Sequence, residues 1–375
     1  MKIRVRLFLL FLLLCGALAG CATAPPPAPS RPVNAAQVFA LSEPMRQYLR
    51  TEIASRARAK GPRLTLFDAL YSRGQLKLEY DAAQTRNAAQ SFEARAGNCL
   101  SLVIMTAALT KEMGLEVKYR TVLVDDSWSR SGDLYFVSGH VNLVLGRHRT
   151  DPFTAYGAEA DLAIDFLPPA DSAGYRTVSI PEPTIVAMYM NNRAAETLAQ
   201  DRLDDAYWWA RGAIAQDPGF IASYNTLGVI FRLHGQLEAA RRAFAFALER
   251  APADTGSMHN LAQALTALGE EARADVLRRK LAQLQPRPPF HFFERGRAAM
   301  GRGDYRAAAL FSKEIERDPY YHEFHFWLAQ AYFRPGQVGQ AERQLTLAME
   351  ASGASAERAL YAAKLDRLRA LRTPH

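Results

Sequence analysis

Cys99 follows a Gly97-Asn98 turn and heads an apolar stretch, Leu100 to Leu109. Asn is a favoured N-cap, so the pattern places the thiol in the first turn of a helix, facing unpaired backbone N–H groups at the positive end of the dipole. That setting favours the thiolate, the form of cysteine that attacks carbonyl carbon. A thiol nucleophile needs a base to take its proton and a third group to orient the base. His140 opens a strand-like run, His140 to Leu145, and Asp165 sits within the next, Leu162 to Leu167. Neighbouring antiparallel strands can bring imidazole and carboxylate together while the sheet lies on the helix that carries Cys99. Asp151 is a rival third member, but Arg147, His148, Arg149 and Pro152 around it read as a loop, so Asp165 is preferred. The Cys99 N–H is the natural donor to an oxyanion, with Gln90 as a second candidate. Singly, each residue has a plainer reading: a buried apolar cysteine, a structural histidine, an acidic cap at a strand end.

The chain of 375 residues has three cysteines. Residues 1–20 combine a basic start (Lys2, Arg4, Arg6), an apolar run from Leu7 to Leu14 and a small-residue ending. The run is too short to span a bilayer and reads as an export signal. Leu18-Ala19-Gly20-Cys21 resembles the lipobox of bacterial lipoproteins, which implies cleavage before Cys21 and lipid on its thiol. Ala22 after the lipidated position points to the outer membrane, facing the periplasm. Cys15 leaves with the signal and Cys21 is lipidated on this reading, so Cys99 has no disulfide partner, and an unpaired thiol in an exported protein invites a reactive role. Without the leader's three cations the formal charge falls from +8 to +5. Such an excess, interleaved with acids, is a solvated surface and not a nucleic-acid footprint.

Residues 21–34 form a Pro-rich tether, expected to be extended and semi-stiff. Between 35 and 182, helical spacing over Val38 to Ala59 and Leu64 to Ser72 precedes an alternating segment, Leu76 to Tyr80. The Cys99 helix runs to about Gly114, then Val117 to Val124 alternates as a strand. A polar loop is expected over 125–134, followed by the runs Tyr135 to Val137, His140 to Leu145 and Leu162 to Leu167. Helices followed by short consecutive strands predict an α+β unit with an antiparallel sheet packed on the Cys99 helix.

In chain order, Arg95-Ala-Gly-Asn-Cys99, Lys111-Glu-Met-Gly114-Leu-Glu-Val117, His140-Val-Asn-Leu-Val-Leu145 and Ala163-Ile-Asp165-Phe resemble the core of transglutaminase-like proteins. The resemblance spans about 90–167. It implies the papain-like cysteine-hydrolase fold, with Cys99 as nucleophile, His140 as base and Asp165 as the orienting carboxylate.

From about 183 to 375 the composition turns helical and Ala-rich. Pro218, Pro252 and Pro286 are 34 residues apart, and Pro319 follows after 33. A 34-residue period with helix pairs is the tetratricopeptide signature, best seen in Tyr224, Leu227-Gly228, Phe231, Gly235, Ala240, Phe244, Ala247 and Pro252. About five repeats and a capping helix over 355–371 are expected, stacked because one pair cannot bury its own apolar face. Asn191, Asn225 and His259 share one repeat position and offer a polar row to an extended peptide, or are simply solvated. The aromatics Phe290, Phe292, Phe293, Tyr320, Tyr321, Phe324, Phe326 and Trp327 read as inter-repeat core more than as a ligand box.

No His/Cys/Asp/Glu cluster has metal-ligand spacing and no Gly-rich phosphate loop follows a strand, so no cofactor or metal is expected. The expectation is a lipid-anchored envelope enzyme with a Cys-His-Asp thiol acyl-transfer site. It would hydrolyse or transfer peptide or isopeptide amides of a protein captured by the repeats. The alternative is a non-catalytic envelope scaffold that binds proteins through those repeats.

Overall fold

The computed structural model describes residues 26–30, 33–71, 76, 78–82, 84–131, 134–148, 162–166, 175–304, 306–352 and 355–370. The leader, Cys21, Asp151 and Tyr305 lie outside them.

The N-terminal part begins with helices α1 (Glu43–Tyr48), α2 (Ala54–Lys60) and α3 (Pro62–Tyr71), the first two joined by a π-type turn at Leu49–Ile53. After strand β1 (Glu79–Tyr80), helix α4 (Ala88–Ala94) and strand β2 (Ala96–Gly97) comes α5 (Cys99–Glu112). Leu102, Val103, Ile104, Met105 and Leu109 of α5 are all but sealed from solvent. A helix apolar all round must be enclosed on every side, and α5 is. Met45, Ile53 and Leu66 meet it from the first helices, Leu143, Leu145 and Ile164 from the sheet, and Ile185 and Met190 from the helix that opens the repeats. Ile104→Ala is expected to cost about 2–5 kcal/mol, read as a lowered denaturant midpoint with unchanged slope.

The main sheet has four strands in the order β5 (Leu162–Ile164), β4 (Leu134–His148), β3 (Leu115–Ser131), β6 (Thr177–Ile180), with every neighbouring pair antiparallel. One expectation needs correction. Residues 125–131 are strand, not loop, because β3 and β4 form one long hairpin that pairs Ser127 with Ser138 and Ser131 with Leu134. The backbone ladder overrides the polar composition there. The alternating segment before α4 contains strand Glu79–Tyr80, which pairs in parallel with β2, apart from the main sheet.

The repeats follow as helix pairs α6 (Glu182–Ala199) with α7 (Leu203–Gln216), α8 (Ala222–Leu233) with α9 (Leu237–Arg250), and α10 (Thr255–Ala267) with α11 (Glu271–Leu284). Two more pairs, α12 (His291–Gly301) with α13 (Ala307–Ile315) and α14 (His322–Phe333) with α15 (Val338–Ala351), precede a closing helix α16 (Ser355–Ala370). Stacking buries the shared faces. Leu198 and Ala206 pack with Leu227 and Ile230 of the next pair, and Phe244 with Leu261 and Leu265 of the one after. Phe290, Phe293 and Phe324 form the core of the later pairs, while Tyr320 stands 73% exposed. Gly228 and Gly296 occur at one repeat position, where the paired helices come closest. A Cβ at Gly296 would lie 2.6 Å from the ring of buried Phe311, and one at Gly228 would strike Phe244. Gly296→Ala is therefore expected to destabilise by roughly 1–3 kcal/mol, visible as a lowered melting temperature.

The two halves are not separated at residue 182. Ile185, Val186, Ala187, Tyr189 and Met190 of α6 belong to the core around α5. Glu182 accepts from Lys111 Nζ and from the Tyr119 hydroxyl, each at 2.8 Å. The Pro-rich tether is also docked along part of its length. Trp208 Nε1 donates to the Pro27 carbonyl at 2.6 Å, and Ser30 donates to Asp205 through both its backbone N–H and its hydroxyl. Among the described residues, no helix is long and apolar enough to cross a membrane.

Candidate active site

The turn before α5 is built from the sequence outward. Parallel pairing of Tyr80 with Gly97 carries the chain to the mouth of the helix. Gly97 is required there, since a Cβ would lie 2.7 Å from the Ser101 Cβ. Asn98 caps the helix as expected, its Oδ1 accepting from the Ser101 N–H at 2.9 Å and the Ser101 hydroxyl at 2.8 Å. Cys99 is thus the first helical residue, half-buried and free of any disulfide. Gln90 closes a capping box at the start of α4, where its Oε1 accepts from the Asn87 N–H.

His140 lies in β4 opposite Val122, where the β3–β4 register shifts. Asp165 follows the last residue of β5, whose Ile164 pairs with Leu143. His140 Nε2 and Asp165 Oδ1 are 2.7 Å apart. Strand period 2 puts Asn142 on the same face as His140, and Asn142 Nδ2 donates to Asp165 Oδ2 at 2.9 Å. Both carboxylate oxygens are therefore engaged. The backbone is held as well: the Tyr71 hydroxyl donates to the Asp165 carbonyl at 2.5 Å and accepts from its N–H at 3.0 Å.

Cys99 also lies close enough to the imidazole for its charge to act on the ring. Burial alone would lower the His140 pKa, but the interactions with Asp165 and Cys99 outweigh it and raise it to about 9. A ring shifted upward in this way favours its protonated form and can give up that proton to a departing group. Because this pKa lies above the ordinary 6.5, the pairing supports the fold fully below that value and loses its contribution as pH rises through about 9. Tyr80 belongs to the same site, its hydroxyl pushed upward by burial, then by the charges of Cys99 and Asp81.

His140 and Asp165 thus meet from two adjacent strands, with Cys99 at the helix mouth close enough for its charge to act on the ring, while Cys21 and the rival Asp151 lie outside the described residues. Sequence reasoning misses Asn142 and Tyr71. The position two on from a strand histidine is a readable signal for the first, and nothing local marks the second. Among the described residues no group of three His, Cys, Asp or Glu side chains is placed to hold a metal ion. In the repeats, Asn225 Oδ1 accepts from Asn260 Nδ2 at 3.0 Å and His259 pairs with Gln263, so two members of the predicted polar row are engaged within the array.

No protein-family model matches the sequence, and no curated protein matches it. Solved structures do match. YrrB, described as a tetratricopeptide protein with an unusual peptide-binding site, is 19% identical over 48% of this chain and 92% of its own, with a TM-score of 0.26. A thermophilic tetratricopeptide protein of Thermus thermophilus is 19% identical over 48% of this chain and 98% of its own, at 0.32. MamA is 16% identical over 42% and 93%, at 0.25. The 34-residue period of this chain and its stacked helix pairs form an α-helical repeat array.

Proposed function

We propose that this protein is a thiol acyl-transfer enzyme that cleaves peptide or isopeptide amides, a transglutaminase-like unit over 35–182 joined to a docking array over 183–375. The observation that carries the reading is the His140–Asp165 pair at 2.7 Å, with Cys99 at the helix mouth near enough for its charge to act on the ring. In the first step Sγ of Cys99 attacks the amide carbonyl carbon, and the Cys99 N–H at the helix mouth is positioned to donate to the oxyanion. The C–N bond then breaks, and the leaving amine takes its proton from the His140 imidazolium. In the second step water, deprotonated by His140, attacks the thioester and the C–S bond breaks. An amine in place of water would give transamidation. Bulk water favours hydrolysis at a half-exposed sulfur. The lipobox-like Leu18 to Cys21 supports lipid anchoring at the outer membrane, facing the periplasm.

The test is labelling with iodoacetamide at pH 6, with the Cys99 peptide quantified by mass spectrometry. A free cysteine of pKa about 8.5 is under about one per cent ionised there, whereas a thiolate held by His140 should react near its plateau rate. A rate no higher than that of a free thiol sinks the reading. The stacked helix pairs favour a second reading, a non-catalytic scaffold whose repeats bind a protein or peptide. Full cellular function of Cys99→Ala would decide for it.

A further inference from the structure

The first helix of the repeats reaches the nucleophile's turn through a single side chain. Thr85, 1% exposed, lies in the segment before α4. Its N–H donates to Glu196 Oε1 of α6 at 2.6 Å. Its Oγ1 accepts from Asn192 Nδ2 of α6 at 3.3 Å and from Asn98 Nδ2 at 2.9 Å. Arg193, again on α6, donates to Glu196 Oε2 at 2.5 Å and to the Thr85 carbonyl at 3.4 Å.

The direction of these bonds matters. Thr85 Oγ1 accepts from Asn192 Nδ2 of α6 and from Asn98 Nδ2, so it presents a lone pair to Asn98. The Asn98 carboxamide must then offer Nδ2 to Thr85 and turn Oδ1 toward the Ser101 N–H, the orientation that caps α5 and sets the peptide leading into Cys99. Without that acceptor the amide is free to rotate, and a buried Nδ2 is left unpaired. Core packing alone does not call for a chain of polarised hydrogen bonds running from α6 to the residue before the nucleophile.

We propose that Thr85 is a positioning residue for Cys99, and that through it Glu196 and Asn192 of the first repeat helix hold the nucleophile's turn in its reactive orientation. This rests on the reading of Cys99 as nucleophile. It makes α6 part of the working site, so that a displacement of the first repeat reaches the sulfur through one hydroxyl.

The experiment uses the full chain and p-nitrophenyl acetate, following the p-nitrophenolate burst and acetylation of the Cys99 peptide between pH 5 and 9.5. Thr85→Val should slow acylation about tenfold, the scale of a small misplacement of a reacting group. The alkaline limb set by His140 should stay where it is, because no titrating group is touched. Thr85→Ser should return the rate to within about twofold of wild type, which a simple loss of packing would not produce. Glu196→Gln keeps volume and leaves one acceptor oxygen for Thr85 and Arg193 to share. It should slow acylation in the same direction and serves where valine impairs folding, as judged by melting temperature. Folded Thr85→Val or Glu196→Gln protein that acylates at the wild-type rate overturns the inference and leaves the nucleophile reading intact. Wild-type protein that does not acylate at Cys99 overturns that reading, and the inference with it.

Discussion

Alanine in place of His140 is expected to lower the rate of Cys99 acylation by p-nitrophenyl acetate about 10³-fold near neutral pH, within the ~10²–10⁴-fold range of positioned acid–base groups. The ring performs two tasks in this geometry. As an imidazolium it neutralises the sulfur anion at the helix mouth, and as an acid it returns a proton to the departing group. Both are lost together, so the defect should exceed that from replacing Asp165 alone. Folding should survive, because Asn142 still donates to Asp165 Oδ2 and Tyr71 still holds the Asp165 backbone. Labelling at pH 9.5 supplies the control: Cys99 of the variant should alkylate there, since an accessible thiol ionises without help. A variant that acylates within threefold of wild type at pH 7 would remove His140 from the chemistry. A variant that fails to label even at pH 9.5 would mean that the thiol has been buried by a changed fold.

Much of this arrangement is readable from residue order. Asn98 ahead of an apolar run marks the helix mouth, and the alternation around His140 marks its strand. Asp165 stands out because Leu162-Ala163-Ile164 alternates where the rival Asp151 is flanked by cations and proline. The repeats announce themselves by period, and Gly228 and Gly296 fall where two helices must nearly touch. What sequence does not disclose depends on partners distant in the chain. Residues 125–131 look like a loop because their side chains are polar, yet a strand at the rim of a hairpin is held by its backbone ladder, which composition does not record. Gln90 is nine residues from Cys99, and its capping box with Asn87 is a second role that its spacing alone does not disclose. Thr85 has no local signature at all, since its importance comes from α6, where Glu196 lies 111 residues away. The sharing of Ile185 and Met190 between the repeats and the core around α5 is a further fact of packing. It makes the change of composition near residue 183 a poor guide to where the molecule could be cut.

Asp165→Asn is expected to have the second-largest effect, and its cause lies in donors and acceptors. Asp165 accepts from two N–H groups, His140 Nε2 on one oxygen and Asn142 Nδ2 on the other. A carboxamide has only one acceptor oxygen, so its NH₂ must face one of these donors. If the oxygen turns to Asn142, His140 is forced into the tautomer with no proton on Nε2. If it turns to His140, Asn142 is left against a second donor. Either way the ring loses its anionic partner, one of the contributions that lift its pKa to about 9. The alkaline limb of the acylation rate should therefore move to lower pH, and the rate at neutral pH should fall roughly 10²-fold, as for loss of a correctly poised base. Stability should respond with the same sign. Wild-type melting temperature should decline as pH rises from 6.5 through about 9, while the variant, with a His140 pKa nearer its ordinary value, should show a shallower decline over that interval. Combining the change with Asn142→Asp separates orientation from charge. The carboxylate introduced at position 142 would accept from the carboxamide NH₂ introduced at position 165, whose oxygen is then free for the His140 Nε2–H. The double variant should accordingly recover part of the lost rate and part of the displaced limb. A single variant with an unmoved limb would show that Asp165 orients nothing, and a double variant no better than the single would locate the defect elsewhere than in this bond.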